Sequence, residues 1–176
     1  PFSLPETWEW TRLSSFCPYG DSEKVDTKNI SDEAWILDLE DIEKDTGKIL
    51  QYVFKSTRNS ISTKHRFSKG QLLYSKLRPY LNKVVIAPND GYCTSEILPL
   101  TFYGSINPCY MQIFLMSSSF LSYVDMISYG VKMPRLGTTD GKRAIIAIPP
   151  LLEQERIVAI AKLALEQTSR VSAIIS

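Results

Sequence analysis

Few residues in this chain have the types and spacing to do chemistry. The single histidine, His65, sits in Thr63-Lys64-His65-Arg66. Acid–base work by a histidine needs an oriented partner, and flanking bases disfavour its protonated form. A contact to solvent or phosphate is therefore the better role for it. The three cysteines, Cys17, Cys93 and Cys109, have no close pairing and read as core filler in a reducing compartment. Only Cys109, near a helix start, has a setting that lowers a thiol pKa. Glu96 is the one carboxylate between Asp90 and Asp125, and its expected partner is a base of the preceding strand, Arg78. Asn107-Pro108-Cys109-Tyr110 has residue types that can hold an exocyclic amino group and stack on a flipped base. No Gly-rich loop lies upstream to hold a methyl donor, so a helix-initiating Asn-Pro fits better. Nothing assembles into paired carboxylates, a Ser/His/Asp set or a phosphate-binding loop. The chain is expected to be no enzyme, with no cofactor and no metal.

Two basic loops carry the remaining chemistry. Ser75-Lys76-Leu77-Arg78-Pro79-Tyr80-Leu81-Asn82-Lys83 offers Arg and Lys for phosphates or guanine edges and Asn for adenine. Tyr129 to Thr139 repeats that mix with Lys132, Arg135 and Thr138, and its glycines let backbone N–H groups approach phosphate. The candidate nucleic-acid contacts are therefore Lys76, Arg78, Tyr80, Asn82 and Lys83 on one edge, and Lys132, Arg135 and Thr138 on another. Side chains from 55–68 are further candidates for reading bases. The net charge of +1 hides the pattern behind these loops. Residues 1–47 carry 4 basic and 12 acidic side chains; residues 48–88 carry 9 basic and none acidic. Tyr52, Phe54, Phe67, Tyr74 and Tyr80 are interleaved with those bases. That combination suits a polyanion. The alternative is that the bases pair with the acidic first quarter across a folded surface.

The elements that must position these loops read as a mixed α/β chain. At 176 residues and 44% apolar, it can bury a core as one domain. Trp8–Leu13, Trp35–Leu39, Ile49–Phe54, Gln71–Leu77, Lys83–Ala87 and Ile145–Ile148 read as extended. Glu40–Asp45 reads as a turn, and Ser56–Ser68 mostly as loop. Lys69-Gly70 marks a turn, and Pro88-Asn89-Asp90-Gly91 predicts a hairpin joining Val84–Ala87 to Tyr92–Leu98. Helical spacing fills 108–127, and Ser128–Lys142 reads as loop. A helix runs from Leu152 after Pro149-Pro150. Its Ile157, Ala161, Ala164, Thr168, Val171 and Ile175 follow heptad spacing, which an ordinary amphipathic helix also permits. No apolar run approaches the ~20 residues of a membrane span. With no initiator Met and no leader, the chain reads as an internal piece of a cytoplasmic protein, its last helix cut short.

Four pieces in order carry a family resemblance. Leu4-Pro5-Glu6-Thr7-Trp8-Glu9-Trp10-Thr11-Arg12-Leu13 resembles a domain-opening LPxxWxWxxL. Lys69 to Lys83 resembles a G-D-[IL]-L-x-[ST]-K-[LI]-R-P-Y-x-x-K hairpin, and Gly91 to Glu96 the G-x-[CV]-[ST]-[ST]-E strand that follows it. Ser128 to Gly137, followed by Ile148 to Val158, resembles the closing I-P-[LI]-P-P-L-x-E-Q-x-R-I-V. The family is the target recognition domain of type I restriction–modification specificity (S) subunits. Gln71 stands where Asp is commoner, and Ile148-Pro149-Pro150-Leu151-Leu152 is one residue tighter than the family rhythm. Residues 14 to 68 match no family motif.

The resemblance implies an α/β domain with a twisted, mostly antiparallel sheet over 1–150. It implies that residues 151–176 begin a conserved spacer helix and coiled coil. Such a domain reads one half of a bipartite target in the major groove of double-stranded DNA. A full subunit holds a second recognition domain and docks methylation (M) and restriction (R) subunits, which do the chemistry. The rivals are a stand-alone DNA-binding regulatory protein and a fragment of a DNA methyltransferase.

Overall fold

The computed structural model describes residues 3–58, 60–128 and 132–175, with side chains placed through residue 167. Among the described residues, nine short strands form three small sheets. The first pairs β1 (Glu9–Arg12) with β9 (Ile145–Ile148), antiparallel, so the two ends of the domain close on each other. The second has the order β2 (Lys24–Val25), β4 (Lys64–Phe67), β7 (Gly91–Thr94), β3 (Ile36–Leu37). Its β3–β7 pair is the parallel one; the other strand pairs are antiparallel. The third has the order β6 (Val84–Ile86), β5 (Leu72–Ser75), β8 (Ile97–Leu100). The expected class, α/β with mostly antiparallel strands, holds, with three sheets in place of one.

The third sheet divides the interior in two. Side chains alternate across a strand. Leu72, Tyr74, Val84, Leu98 and Leu100 therefore face one core, while Leu73, Val85 and Ile97 face the other. The first core is closed by α1 (Pro108–Leu115) and α2 (Ser118–Ile127) through Tyr110, Met111, Leu115, Phe120 and Val124. Trp35, Leu37, Ile42, Phe67 and Cys93 fill the second. α3 (Thr138–Arg143) packs on the turn after β1, where Gly141 leaves room for the Tyr19 ring. α4 (Leu151–Ile175) follows Pro149-Pro150, and its first turns pack against α1 and the first core.

Several expectations need correction. Val84–Ala87 and Tyr92–Leu98 form no hairpin: β6 joins β5, while β7 joins β3 and β4 in another sheet. The expected second strand breaks at Ser95-Glu96 into β7 and β8, which belong to different sheets. Ile49–Phe54 makes only single bridges, Ile49 to Ile42 and Phe54 to Trp35. Ser56–Ser68 is not all loop, because Lys64–Phe67 is an inner strand. Within Ser128–Lys142, α3 replaces the end of the expected loop, and Tyr129-Gly130-Val131 lie outside the described residues. On α4, Gln154 and Val158 are buried and Ile157 packs on the first core, so the first turns use an ordinary amphipathic face. Ile160 and Leu163 are exposed. The heptad positions Thr168, Val171 and Ile175 lie beyond the described side chains. Among the described residues no helix is long and apolar enough to cross a membrane.

Candidate nucleic-acid interface

The two basic loops, joined by residues 58 apart in sequence, form one edge. Leu77 and Arg135 make an antiparallel bridge. Arg78 N–H donates to the Pro134 carbonyl at 2.7 Å, and Leu136 N–H to the Lys76 carbonyl at 2.9 Å. The first loop then turns through a short 3-10 helix, Pro79–Leu81, with proline fixing its first φ. Both flanking residues are left-handed, Arg78 at φ 47° and Asn82 at φ 53°. A non-glycine residue pays strain there, so the surrounding bonds must hold it. Leu81 N–H to Arg78 O and Asn82 N–H to Pro79 O, both 2.9 Å, supply that hold with the Pro134 bond. The loop is thus pre-shaped before any ligand arrives.

The expected contact residues separate into two groups. Arg78 and Tyr80 are exposed, Lys76 is half-buried, and Lys132 and Thr138 are exposed. Asn82 is 6% exposed; its amide donates to the Met116 carbonyl at 3.3 Å and its Oδ1 is buried without a hydrogen bond. It anchors the loop on the end of α1 rather than facing outward. Lys83 is half-buried and donates to the Leu39 carbonyl at 2.6 Å. Burial pulls its ammonium below the usual lysine pKa, with Asp41 and Glu40 opposing. Arg135 forks onto Glu96, with N–O distances of 3.1 to 3.4 Å. Glu96 therefore pairs with Arg135 and not with the expected Arg78, because the bridge at Leu77 brings Arg135 beside it. Thr138 opens α3 against Gly20. A shallow cleft of about 310 Å³ lies between the loops, lined by Leu39, Glu40, Leu77, Arg78, Lys83 and Met133. Met133, 44% exposed, was not among the residues singled out from sequence.

The structure also decides the fate of the segregated charge. Three of the nine bases pair with the acidic first quarter: Lys55 with Asp32, Arg66 with Glu23, and Arg58 with Asp38, Glu40 and Asp41. Arg58 to Asp41 is the tightest, at 2.6 Å, and the Asp41 side chain is fully buried. Lys64 is buried too, its ammonium held by Ser60 and Ser62. Lys48, Lys69, Lys76 and Arg78 show no ion pair among the described residues. Intramolecular pairing thus consumes part of the basic segment, and two of these four bases, Lys76 and Arg78, lie on one loop.

His65 is buried, contrary to the expected solvent or phosphate contact. Its Nδ1–H donates to the Ile97 carbonyl at 2.9 Å, tying β4 to β8. Cys17 and Cys93 are buried, as core filler should be, and burial pushes the Cys17 thiol up to about 12. Asn107 caps α1, its Oδ1 accepting from Cys109 N–H at 2.9 Å. That is the helix-initiating role. Among the described residues no group of three or more His, Cys, Asp or Glu could hold a metal ion.

No protein-family model matches the chain. It is 30% identical over 158 residues to the type I restriction enzyme EcoDI specificity subunit of Escherichia coli. That match covers 89% of this chain and 34% of the relative. The chain is a relative of the type I specificity subunits. Its fold agrees with theirs. The HsdS subunit of Thermoanaerobacter tengcongensis superposes with a TM-score of 0.81 at 24% identity, covering 99% of this chain and 46% of that one. The type I S subunit of M. genitalium gives 0.63 at 13% identity, covering 99% and 44%. A structure describing assembly and conformational transition of the type I system gives 0.81 at 23% identity, covering 99% and 46%. This chain thus spans about a third to a half of the family members it matches.

Proposed function

We propose that this chain is the DNA-reading domain of a type I specificity subunit. The observation that carries the reading is the 30% identity to a specificity subunit across 89% of the chain. The joined loop edge supports it by putting Lys76, Arg78, Tyr80 and Lys132 at the surface of one preformed feature. Phosphate contacts from these residues set the register on duplex DNA, and a few side chains read base edges in the major groove. Asn82, Lys83, Arg135 and Thr138 shape and hold that edge. The chain reads one half of a bipartite target. A second recognition domain elsewhere in a full subunit reads the other half. Methylation and restriction subunits, docked on the full cytoplasmic assembly, do the chemistry. Residues 151–176 begin the spacer helix that fixes the distance between half-sites.

The test uses the full subunit assembled with its methylation subunits. Arg78→Ala should weaken binding to the cognate duplex by about 1–3 kcal/mol if Arg78 forks onto a guanine. Unchanged affinity and an unchanged salt dependence in a folded Arg78→Ala assembly would refute the role of this loop.

A further inference from the structure

We propose that Ile61 is a specificity-determining residue, laying its side chain against the 5-methyl group of a thymine in the major groove. The proposal rests on the reading of this chain as a DNA-recognition domain. Ile61 is 99% exposed, although isoleucine is among the residues most often buried. Its loop is not slack. Lys64, only 1% exposed on β4, donates to Ser60 Oγ at 2.6 Å, Ser62 O at 3.0 Å and Ser62 Oγ at 2.7 Å. Those three bonds match the three donors of an ammonium. The Thr27 hydroxyl donates to the same Ser62 carbonyl at 2.5 Å. Ser60 N–H donates to the Arg58 carbonyl at 2.8 Å, and Arg58 is clamped by Asp38, Glu40 and Asp41. The residues on either side of Ile61 are therefore pinned, and the apolar side chain between them stands in water.

The position and surroundings fit a base edge. Arg58 binds Glu40 and Asp41, and Lys83 binds the Leu39 carbonyl. Arg58, three residues before Ile61, and Lys83, at the end of the Lys76–Lys83 loop, are thus both tied to one turn, Leu39–Asp41. An open hollow of about 680 Å³ lies beside Ile61, lined by Asp32, Lys55, Ser56, Arg58 and Ser60. An apolar tip beside hydroxyls and two ion-paired bases, Lys55 and Arg58, has one apolar counterpart on a major-groove base edge, the thymine methyl. Holding the tip rigid removes the ordering cost that a free loop would incur on binding.

The experiment uses the full subunit with its methylation subunits. Methylation mapping defines the half-site, and duplexes then carry uracil in place of each thymine in turn, which deletes only the methyl. One replacement should weaken the wild-type assembly by about 4-fold, the factor for burying one methyl-sized group. Ile61→Ala should bind that duplex and its thymine parent equally, and Ile61→Val should restore part of the difference. Because Ile61 is fully exposed, both variants should melt at the wild-type temperature. Equal sensitivity of wild type and Ile61→Ala to every replacement would overturn the proposal. So would a half-site without an A·T pair, or an equal loss of affinity by Ile61→Ala on all sequences. A wild-type assembly with no preferred sequence would overturn the DNA-recognition reading itself, and this proposal with it.

Discussion

At the scale of single residues, four polar side chains of the basic segment, Lys64, His65, Ser75 and Asn82, sit inside the protein among the described residues. His65 is the clearest. Burial holds its imidazole below the ordinary pKa of 6.5, and the bond to the Ile97 carbonyl only partly offsets that. The unfolded chain then takes up a proton near pH 6.5 while the folded one does not. Stability is present above that pH, falls as the pH drops through it, and levels off below the folded pKa. His65→Gln should therefore lose less Tm than wild type between neutral pH and pH 5, read by thermal melts at both. Arg58 illustrates the cost of separating a buried pair. Asp41 is 0% exposed and accepts from Asp38 N–H, the Gln51 amide and Arg58. Arg58→Ala leaves that carboxylate without its cation and should cost about 3–5 kcal/mol in urea unfolding. Arg58→Lys should recover only part, since one ammonium cannot reproduce a fork across several carboxylate groups.

At the scale of elements, the start of α4 is fixed by one side chain. Gln154 is fully buried; its amide donates to the Ser105 and Pro149 carbonyls, and its Oε1 accepts from Asn107 N–H at 2.8 Å. It thereby locks α4 to the cap of α1. This is the glutamine of the Glu153-Gln154 pair in the closing motif, so a sequence signature here has a structural cause. Gln154→Glu cannot donate to two carbonyls and should cost at least about 1–3 kcal/mol for the groups left unpaired. Chemical denaturation followed by helix signal would measure it. α3 sets a different constraint. A Cβ on Gly141 would lie 2.1 Å from the Tyr19 ring. Gly141→Ala should therefore destabilise by about 1–3 kcal/mol through overpacking, despite its better helix propensity.

At the scale of the whole molecule, the question is which charges remain for a polyanion. Lys76 carries no ion pair among the described residues, whereas Arg135 is neutralised by Glu96. Lys76→Gln should reduce the slope of log affinity against log salt by about one for a phosphate contact. Arg135→Gln should weaken binding by loosening the bridge at Leu77 while leaving that slope nearly unchanged. Titrating the assembled subunit against duplex DNA at several salt concentrations separates the two. Equal changes in slope would contradict the assignment of Lys76 as a contact and Arg135 as a brace.

Features caused by neighbouring residues were legible in the chain. Gly70 makes its turn with φ at 86°, Asn107-Pro108 opens α1, Pro149-Pro150 precedes α4, and Pro79 prevents a long helix. The ordered motifs pointed to the family, and both basic loops were picked out singly. Partnership was not legible. Nothing local tells β6 and β7 to enter different sheets, since the Pro88–Gly91 turn suits a hairpin equally well. Lys64-His65-Arg66 looks like a solvated run because its satisfying acceptors, Ser60, Ser62 and the Ile97 carbonyl, become visible only once the chain is folded. Glu96 found Arg135, 39 residues away, because a backbone bridge decided which base came near. Local steric and capping preferences act through adjacent atoms and are written in short stretches of sequence. Strand pairing and burial of charge are decided by competition among distant segments for the same core, which only the assembled structure resolves.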